Sequence, residues 1–293
     1  MQDKVNGWIG QAWSALKSIP GASGAVSREQ LRWDEFHDLD TLEVVVFGAY
    51  DAGKSSLLKR LLVDWRIPVP EWLTVSGRRE TFETKRAVAQ GLGLTDTPGL
   101  GSGNNEHDFL TLGAMRLADV YLWVLPPQLV TTGKERFLEV LFGDVGIAEA
   151  TLAVIARMDE AGVDPSDNEV GFASLRLKKM EELTSLVEAA SSARKLNSIH
   201  CVVADPYQVV GNSPNPEPEI YDIGRSWDGV EDLADEVLSL RKQRCELRQR
   251  AGARFVRLLL SDVRQEMGRL AEELTLSKEG MDNEVDRHAI YEQ

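Results

Sequence analysis

Apolar positions change their period several times along this chain. Between Gln2 and Lys17, Val5, Trp8, Ile9, Ala12, Trp13 and Leu16 fall at three- and four-residue steps, which predicts an amphipathic helix. Gly21 to Ser27 is a run of small residues that predicts a linker, followed by a short polar helix at Arg28–His37. Strand-like runs come next, at Leu42–Phe47, Thr84–Ala89, Leu92–Thr95, Val120–Leu125, Thr151–Ile155 and Ile199–Val203, with helical stretches between them. Alternating strand and helix predicts an α/β fold, with a mostly parallel sheet covered on both faces and a binding site at the carboxyl ends of its strands. Gly211 to Asp228 holds three prolines and reads as an irregular insertion with no assigned role. From about Gly229 a helical period returns. Leu233, Val237, Leu240, Leu247, Ala251, Leu258, Val263, Met267, Leu270 and Leu274 form a seam, with Arg250, Arg257 and Arg264 beside it, and this predicts coiled-coil or bundle pairing. The pattern divides the chain into an N-terminal helical segment (1–40), an α/β domain (41–228) and a long C-terminal helix or bundle segment (229–293), so the α/β domain has helical extensions at both ends.

The strongest local signal lies between the first strand and the helix-like run Leu57 to Leu62. It reads Gly48-Ala49-Tyr50-Asp51-Ala52-Gly53-Lys54-Ser55-Ser56, a glycine-bounded loop in the strand–loop–helix context of a phosphate-binding P-loop. Such a loop turns backbone N–H groups toward a polyphosphate, and the helix start adds partial positive charge. Lys54 is placed to reach the β- and γ-phosphates, and the Ser55 hydroxyl to ligate Mg²⁺. About forty residues on, the run Leu92 to Thr95 ends in Asp96-Thr97-Pro98-Gly99. Asp96 fits a carboxylate behind the Mg²⁺, and Gly99 can bring its N–H against a γ-phosphate because it has no Cβ.

The two motifs together resemble the G domains of the translation-factor-like GTPases, over about Glu43 to Asp205. Ala52-Gly53-Lys54-Ser55-Ser56 and the Asp-Thr-Pro-Gly phrase look most like the dynamin-like, Era-like (50S ribosome-binding-type) and septin-like branches. The resemblance implies a P-loop GTPase domain that binds GTP or GDP with Mg²⁺ and hydrolyses GTP as a conformational or assembly switch. It assigns the nucleotide to Gly48, Asp51, Ala52, Gly53, Lys54, Ser55, Ser56, Asp96, Gly99, Arg157, Asp159 and Ala204. The metal falls to Ser55, Asp96 and the switch threonine, for which Thr74 has the spacing and Thr81 is the rival. Lys54, Thr74, Gly99 and Asp51 are the implied catalytic set. Where relatives carry Asn/Thr-Lys-x-Asp, this chain has Ala156-Arg157-Met158-Asp159. Asp159 is in register to take two hydrogen bonds from guanine, and Arg157 stands in for the lysine over the base. Ala156 cannot make the contact of an asparagine. The last base motif, Ser-Ala-Lys/Leu in the family, is reduced to Val203-Ala204-Asp205.

Leu100 occupies the place where Ras-like enzymes carry a water-orienting glutamine, so slow intrinsic hydrolysis is expected. Some relatives use a monovalent cation held near the residue corresponding to Asp51. K⁺ held there and a solvated loop carboxylate are both open readings. Tyr50 beside it either covers a phosphate, lines a dimer contact or is an exposed loop residue. A nucleotide-dependent scaffold with little hydrolysis, and an adenine-using P-loop ATPase, remain the alternative functions.

Composition narrows the partners. At 293 residues, 43% hydrophobic and 27% charged, the chain is ordinary globular material with one α/β domain and additions. Two cysteines give neither a disulfide framework nor a zinc site, which fits a reducing cytoplasm. No run approaches a membrane span and no signal-peptide pattern begins the chain. A net charge of −14 argues against a broad nucleic-acid surface. The tryptophan face of the first helix has two readings, helix packing or peripheral contact with a membrane. The basic run from Arg241 to Arg269 is either a salt-bridged flank or a contact for lipid phosphate or RNA. The helical segments offer surfaces for self-association or for a related GTPase.

Overall fold

A computed structural model describes residues 2–73, 84–100, 105–129, 134–143 and 146–291. It comprises two compact units, Glu35–Arg254, and Met1–Asp34 with Phe255–Gln293. The elements are α1 (Gln2–Lys17), α2 (Ser23–His37), β1 (Leu42–Gly48), α3 (Lys54–Asp64), β2 (Lys85–Ala89), β3 (Leu92–Asp96), α4 (Asn105–Arg116), β4 (Val120–Leu125), α5 (Lys134–Phe142), β5 (Thr151–Ile155), α6 (Glu169–Ala190), β6 (Ser198–Cys201), α7 (Val230–Leu240) and α8 (Arg244–Tyr291).

In the larger unit the six strands form one sheet in the order β2-β3-β1-β4-β5-β6. Only the β2–β3 pair is antiparallel, and the other pairs run parallel. The sheet is therefore the mostly parallel one expected. All seven residues of β1 are buried, because both faces of the central strand are covered. Val44 and Val46 pack on one side with Leu57 and Leu61 of α3 and Leu233 and Val237 of α7. Val45 and Phe47 pack on the other with Trp123, Phe137 of α5 and Leu183 of α6. A strand buried on both faces cannot show the alternation of a half-exposed one, which is why its sequence is an unbroken apolar run.

The proline-containing insertion is fastened to the back of α3. Arg60, almost wholly buried, bonds Asp64 at 2.7 Å and Asp228 at 2.6 Å, and its guanidinium lies 4.2 Å above the Tyr221 ring. Lys59 donates to the Gly211 carbonyl at 3.1 Å. The insertion thus braces the helix that begins in the P-loop.

In the smaller unit, the face of α1 carried by Ile9, Trp13 and Leu16 is buried, and Trp13 lies 6.0 Å from Phe255 of α8. This is the helix-packing reading of the tryptophan face, with Trp8 remaining 38% exposed. The linker expected over Gly21–Ser27 is corrected: α2 begins at Ser23. Val26, fully buried, and Trp33, which stacks on Phe255, give the segment an apolar face whose burial outweighs the low helix propensity of Gly24. Among the described residues no helix is long and apolar enough to cross a membrane.

Candidate nucleotide-binding site

The glycine-bounded loop connects the end of β1 to the start of α3. Asp51 has φ 57° and Gly53 φ 93°, so the loop reverses through left-handed backbone before the helix begins at Lys54. No side chain caps that helix start, which leaves its N–H groups to the loop's concave side. Gly99 sits against the same loop. A Cβ there would meet Tyr50 N at 2.9 Å, so only glycine lets the Asp-Thr-Pro-Gly turn approach this closely.

The chain brings the two motifs together as their spacing predicts. Asp96, last residue of β3, is paired in register with Val46 of β1. Its Oδ2 accepts a 2.9 Å bond from Ser55 Oγ. Lys54 is buried and donates to the carbonyls of Ala49 at 2.8 Å and Gly48 at 3.4 Å. Burial lowers the Lys54 pKa, against the pull of Asp96 and Asp51. Ala52 is buried, and Ser56 follows in the first turn of α3. Leu100 is buried in the core, with its N–H on the Gly48 carbonyl at 3.1 Å. Its side chain packs in the apolar cluster that holds Val45 and Phe47.

Ser55 and Asp96 form a hard-oxygen pair that fits Mg²⁺. Among the described residues no group of three or more His, Cys, Asp or Glu could hold a metal by itself. Thr74 and its rival Thr81 lie outside the described residues.

Beside the loop stands the turn that follows β5. Arg157 has φ 57°, and its Nη1 donates to both the Asp51 carbonyl and the Asp51 carboxylate at 3.0 Å. Asp51 is ion-paired to Arg157 while its carboxylate stays 68% exposed, so the pair links the two loops at a solvated carboxylate. The Arg157 stem passes the P-loop where a Cβ on Gly53 would lie 3.7 Å from its Cγ. Asp159 is half-buried, its carboxyl held above the usual range by burial, and it accepts a bond from the Tyr207 N–H at 3.2 Å. Ala204 is buried just past β6. Tyr207 and the buried pair Arg60–Asp228 were not signalled by any motif. An Asp205-Pro206 turn marks the place of the first, and nothing in the sequence marks its contacts.

A glycine-bounded phosphate loop, a Ser–Asp pair and an aspartate loop at the carboxyl ends of parallel strands define the P-loop nucleotide-binding class. Residues 43–156 match the family model described as 50S ribosome-binding GTPase, and this segment is a P-loop GTPase domain. An uncharacterized protein of Acinetobacter baylyi is 28% identical over 187 residues, which are 58% of this chain and 36% of that protein. Among solved structures, the LeoA bacterial dynamin GTPase from ETEC shares the fold at TM-score 0.52 and 16% identity, over 94% of this chain and 51% of that one. Era from Aquifex aeolicus aligns at TM-score 0.45 and 16% identity, over 68% of this chain and 56% of that one. The chain spans about a third of the curated relative and about half of the dynamin.

Proposed function

We propose that this chain binds GTP with Mg²⁺, hydrolyses it slowly, and acts as a nucleotide-controlled conformational or assembly switch of the dynamin-like or Era-like kind. The observation that carries the reading is the 2.9 Å contact of Ser55 with Asp96 beside Lys54, since it joins the P-loop to the second motif at one point. In this reading the P-loop N–H groups and Lys54 hold the phosphates, and Ser55 and Asp96 hold Mg²⁺, which neutralises phosphate charge. Asp159 reads guanine. Rejection of adenine follows because a half-buried carboxylate facing adenine would lose its donors. Arg157 supplies a positive charge at Asp51 in this reading.

The test is nucleotide affinity, followed with a fluorescent GTP analogue. Lys54→Ala removes the only lysine of the P-loop and should reduce affinity at least a hundredfold, about 2.7 kcal/mol or more. Ser55→Asn should weaken binding far more with Mg²⁺ than in EDTA. Unchanged affinity in Lys54→Ala would overturn the assignment, and equal affinity of the parent for GTP and ATP would favour the ATPase reading. The buried Leu100 favours one second reading, a nucleotide-dependent scaffold with little turnover. Tight GTP binding without hydrolysis at any protein concentration would select it.

A further inference from the structure

Four of the seven non-glycine residues in left-handed backbone among the described residues border this site: Asp51, Arg157, Tyr207 and Gln208. Tyr207 and Gln208 are consecutive, at φ 53° and 55°. Left-handed backbone brings a Cβ against the neighbouring carbonyl, so two such residues in a row persist only where other contacts hold them. The contacts are present. The Tyr207 hydroxyl donates to Asp164 Oδ1 at 2.7 Å and lies 2.6 Å from Ser166 Oγ. Its ring stands edge-on to Trp227, with centroids 5.8 Å apart. Gln208 Nε2 reaches Glu160 at 3.4 Å. The outcome of this arrangement is that the Tyr207 N–H points at the Asp159 carboxylate.

An ionised carboxylate has about four acceptor positions, and a guanine edge takes two of them. A third donor from the protein fixes the plane of the carboxylate before the base arrives. Val203, where relatives have serine, has no side-chain donor to serve this purpose.

We infer that Tyr207 is a positioning residue for guanine selection, its phenol tied to Asp164 and Ser166 so that its strained backbone N–H orients Asp159. The inference rests on the reading of Asp159 as the base acceptor. The hydroxyl's function is conformational, since it holds φ positive. Loss of the hydroxyl lets residue 207 relax to negative φ, turning the N–H away. Tyr207 also explains why the Asp159 loop and the turn after β6 meet through hydrogen bonds although neither motif matches its family pattern fully.

The experiment measures the GTP-to-ATP affinity ratio of the full chain for the parent, Tyr207→Phe, Tyr207→Gly, Asp164→Asn and Asp159→Asn. Tyr207→Phe and Asp164→Asn should each lower the ratio about three- to tenfold, the value of one hydrogen bond, with ATP affinity unchanged. Tyr207→Gly should keep more of the ratio than Tyr207→Phe, because glycine accepts positive φ without resistance. A simple loop staple gives the opposite order, since glycine removes every contact. Tyr207→Phe added to Asp159→Asn should change nothing further. If the parent prefers guanine and Asp159→Asn removes that preference while Tyr207→Phe and Asp164→Asn keep it, this inference is overturned and the base assignment stands. If the parent has no preference, the base assignment fails first and takes the inference with it.

Discussion

Asp159 has to be ionised to accept two bonds from guanine, and burial raises its pKa above the ordinary carboxylate value. On the proposed reading the guanine preference is therefore complete above that raised pKa and is lost as pH falls through it. The γ-phosphate also titrates on acidification, but it does so alike in GTP and ATP, so the affinity ratio isolates the carboxylate. Measured from pH 7.5 stepwise into the acid range, the ratio should fall toward one as Asp159 takes up its proton, while in Asp159→Asn it should be near one throughout. A ratio independent of pH would mean that some other group reads the base. At this scale, the residues legible in the sequence were those whose chemistry depends on immediate neighbours. Gly53, Lys54 and Ser55 are set by one loop, and Asp96 by the end of one strand. Arg157 was legible as a base-loop residue, but its pairing with Asp51 was not, because that bond joins positions 106 residues apart. Tyr207 was missed for the same reason: its meaning lies in partners from another loop.

Among the elements, the informative case is the start of α8. The basic run was open to three readings, lipid, RNA or a salt-bridged flank, and several of its arginines are held by the chain itself. Arg241 and Arg244 donate to the carbonyls of Gln90 and Leu39, and Arg254 to that of Ala118. Arg248 grips Asp119 with two 2.8 Å bonds, reaches the carbonyls of His37 at 3.1 Å and Thr41 at 2.8 Å, and lies over the Phe36 ring. Asp119 in turn accepts the Glu43 N–H at 2.8 Å, so one guanidinium closes the end of α2 and the lower edge of β1 together. Both members of the pair are buried, and removing one leaves a buried charge without its counterion. Arg248→Ala should cost about 3–5 kcal/mol in urea unfolding, and Arg250→Ala, an exposed residue paired with Glu246, less than about 0.5 kcal/mol. Equal losses would show that Arg248 has no special place in the fold. Most of the strands were legible as short apolar runs between turn residues, and the mostly parallel pairing followed from the helices between them. The start of α2 was not, since Gly21 to Ser27 has linker composition and is helical only through tertiary burial. The insertion after Asp205 was likewise opaque, its order coming from Arg60 and Tyr221 rather than from any local period.

For the whole molecule, the decisive feature is how the C-terminal seam changes along its length. Leu233, Val237, Leu240, Leu247, Ala251, Leu258 and Val263 are buried within the chain. Further on, Met267, Leu270 and Leu274 are exposed, the last at 71%. Continuing the period from Leu260 and Val263 places these residues at core positions of a heptad. Glu266 and Glu273 then fall on one flank, Arg264 and Lys278 on the other, and a parallel second copy would set Glu273 against Lys278. An antiparallel copy would oppose like charges, so the parallel pair is the arrangement this pattern favours. Two heptads give a weak contact by themselves, and in the proposed function Leu100 at the water-orienting position leaves hydrolysis in need of help. Both considerations predict association that strengthens with GTP. Specific GTPase activity should rise with protein concentration, and light scattering should increase on adding a non-hydrolysable GTP analogue. Leu270→Glu with Leu274→Glu should abolish both effects while GTP affinity remains that of the parent, because both residues belong to the unit that does not hold the P-loop. Turnover independent of concentration, with an unchanged oligomeric state in the analogue, would remove self-assembly from the mechanism and leave a different protein as the activator.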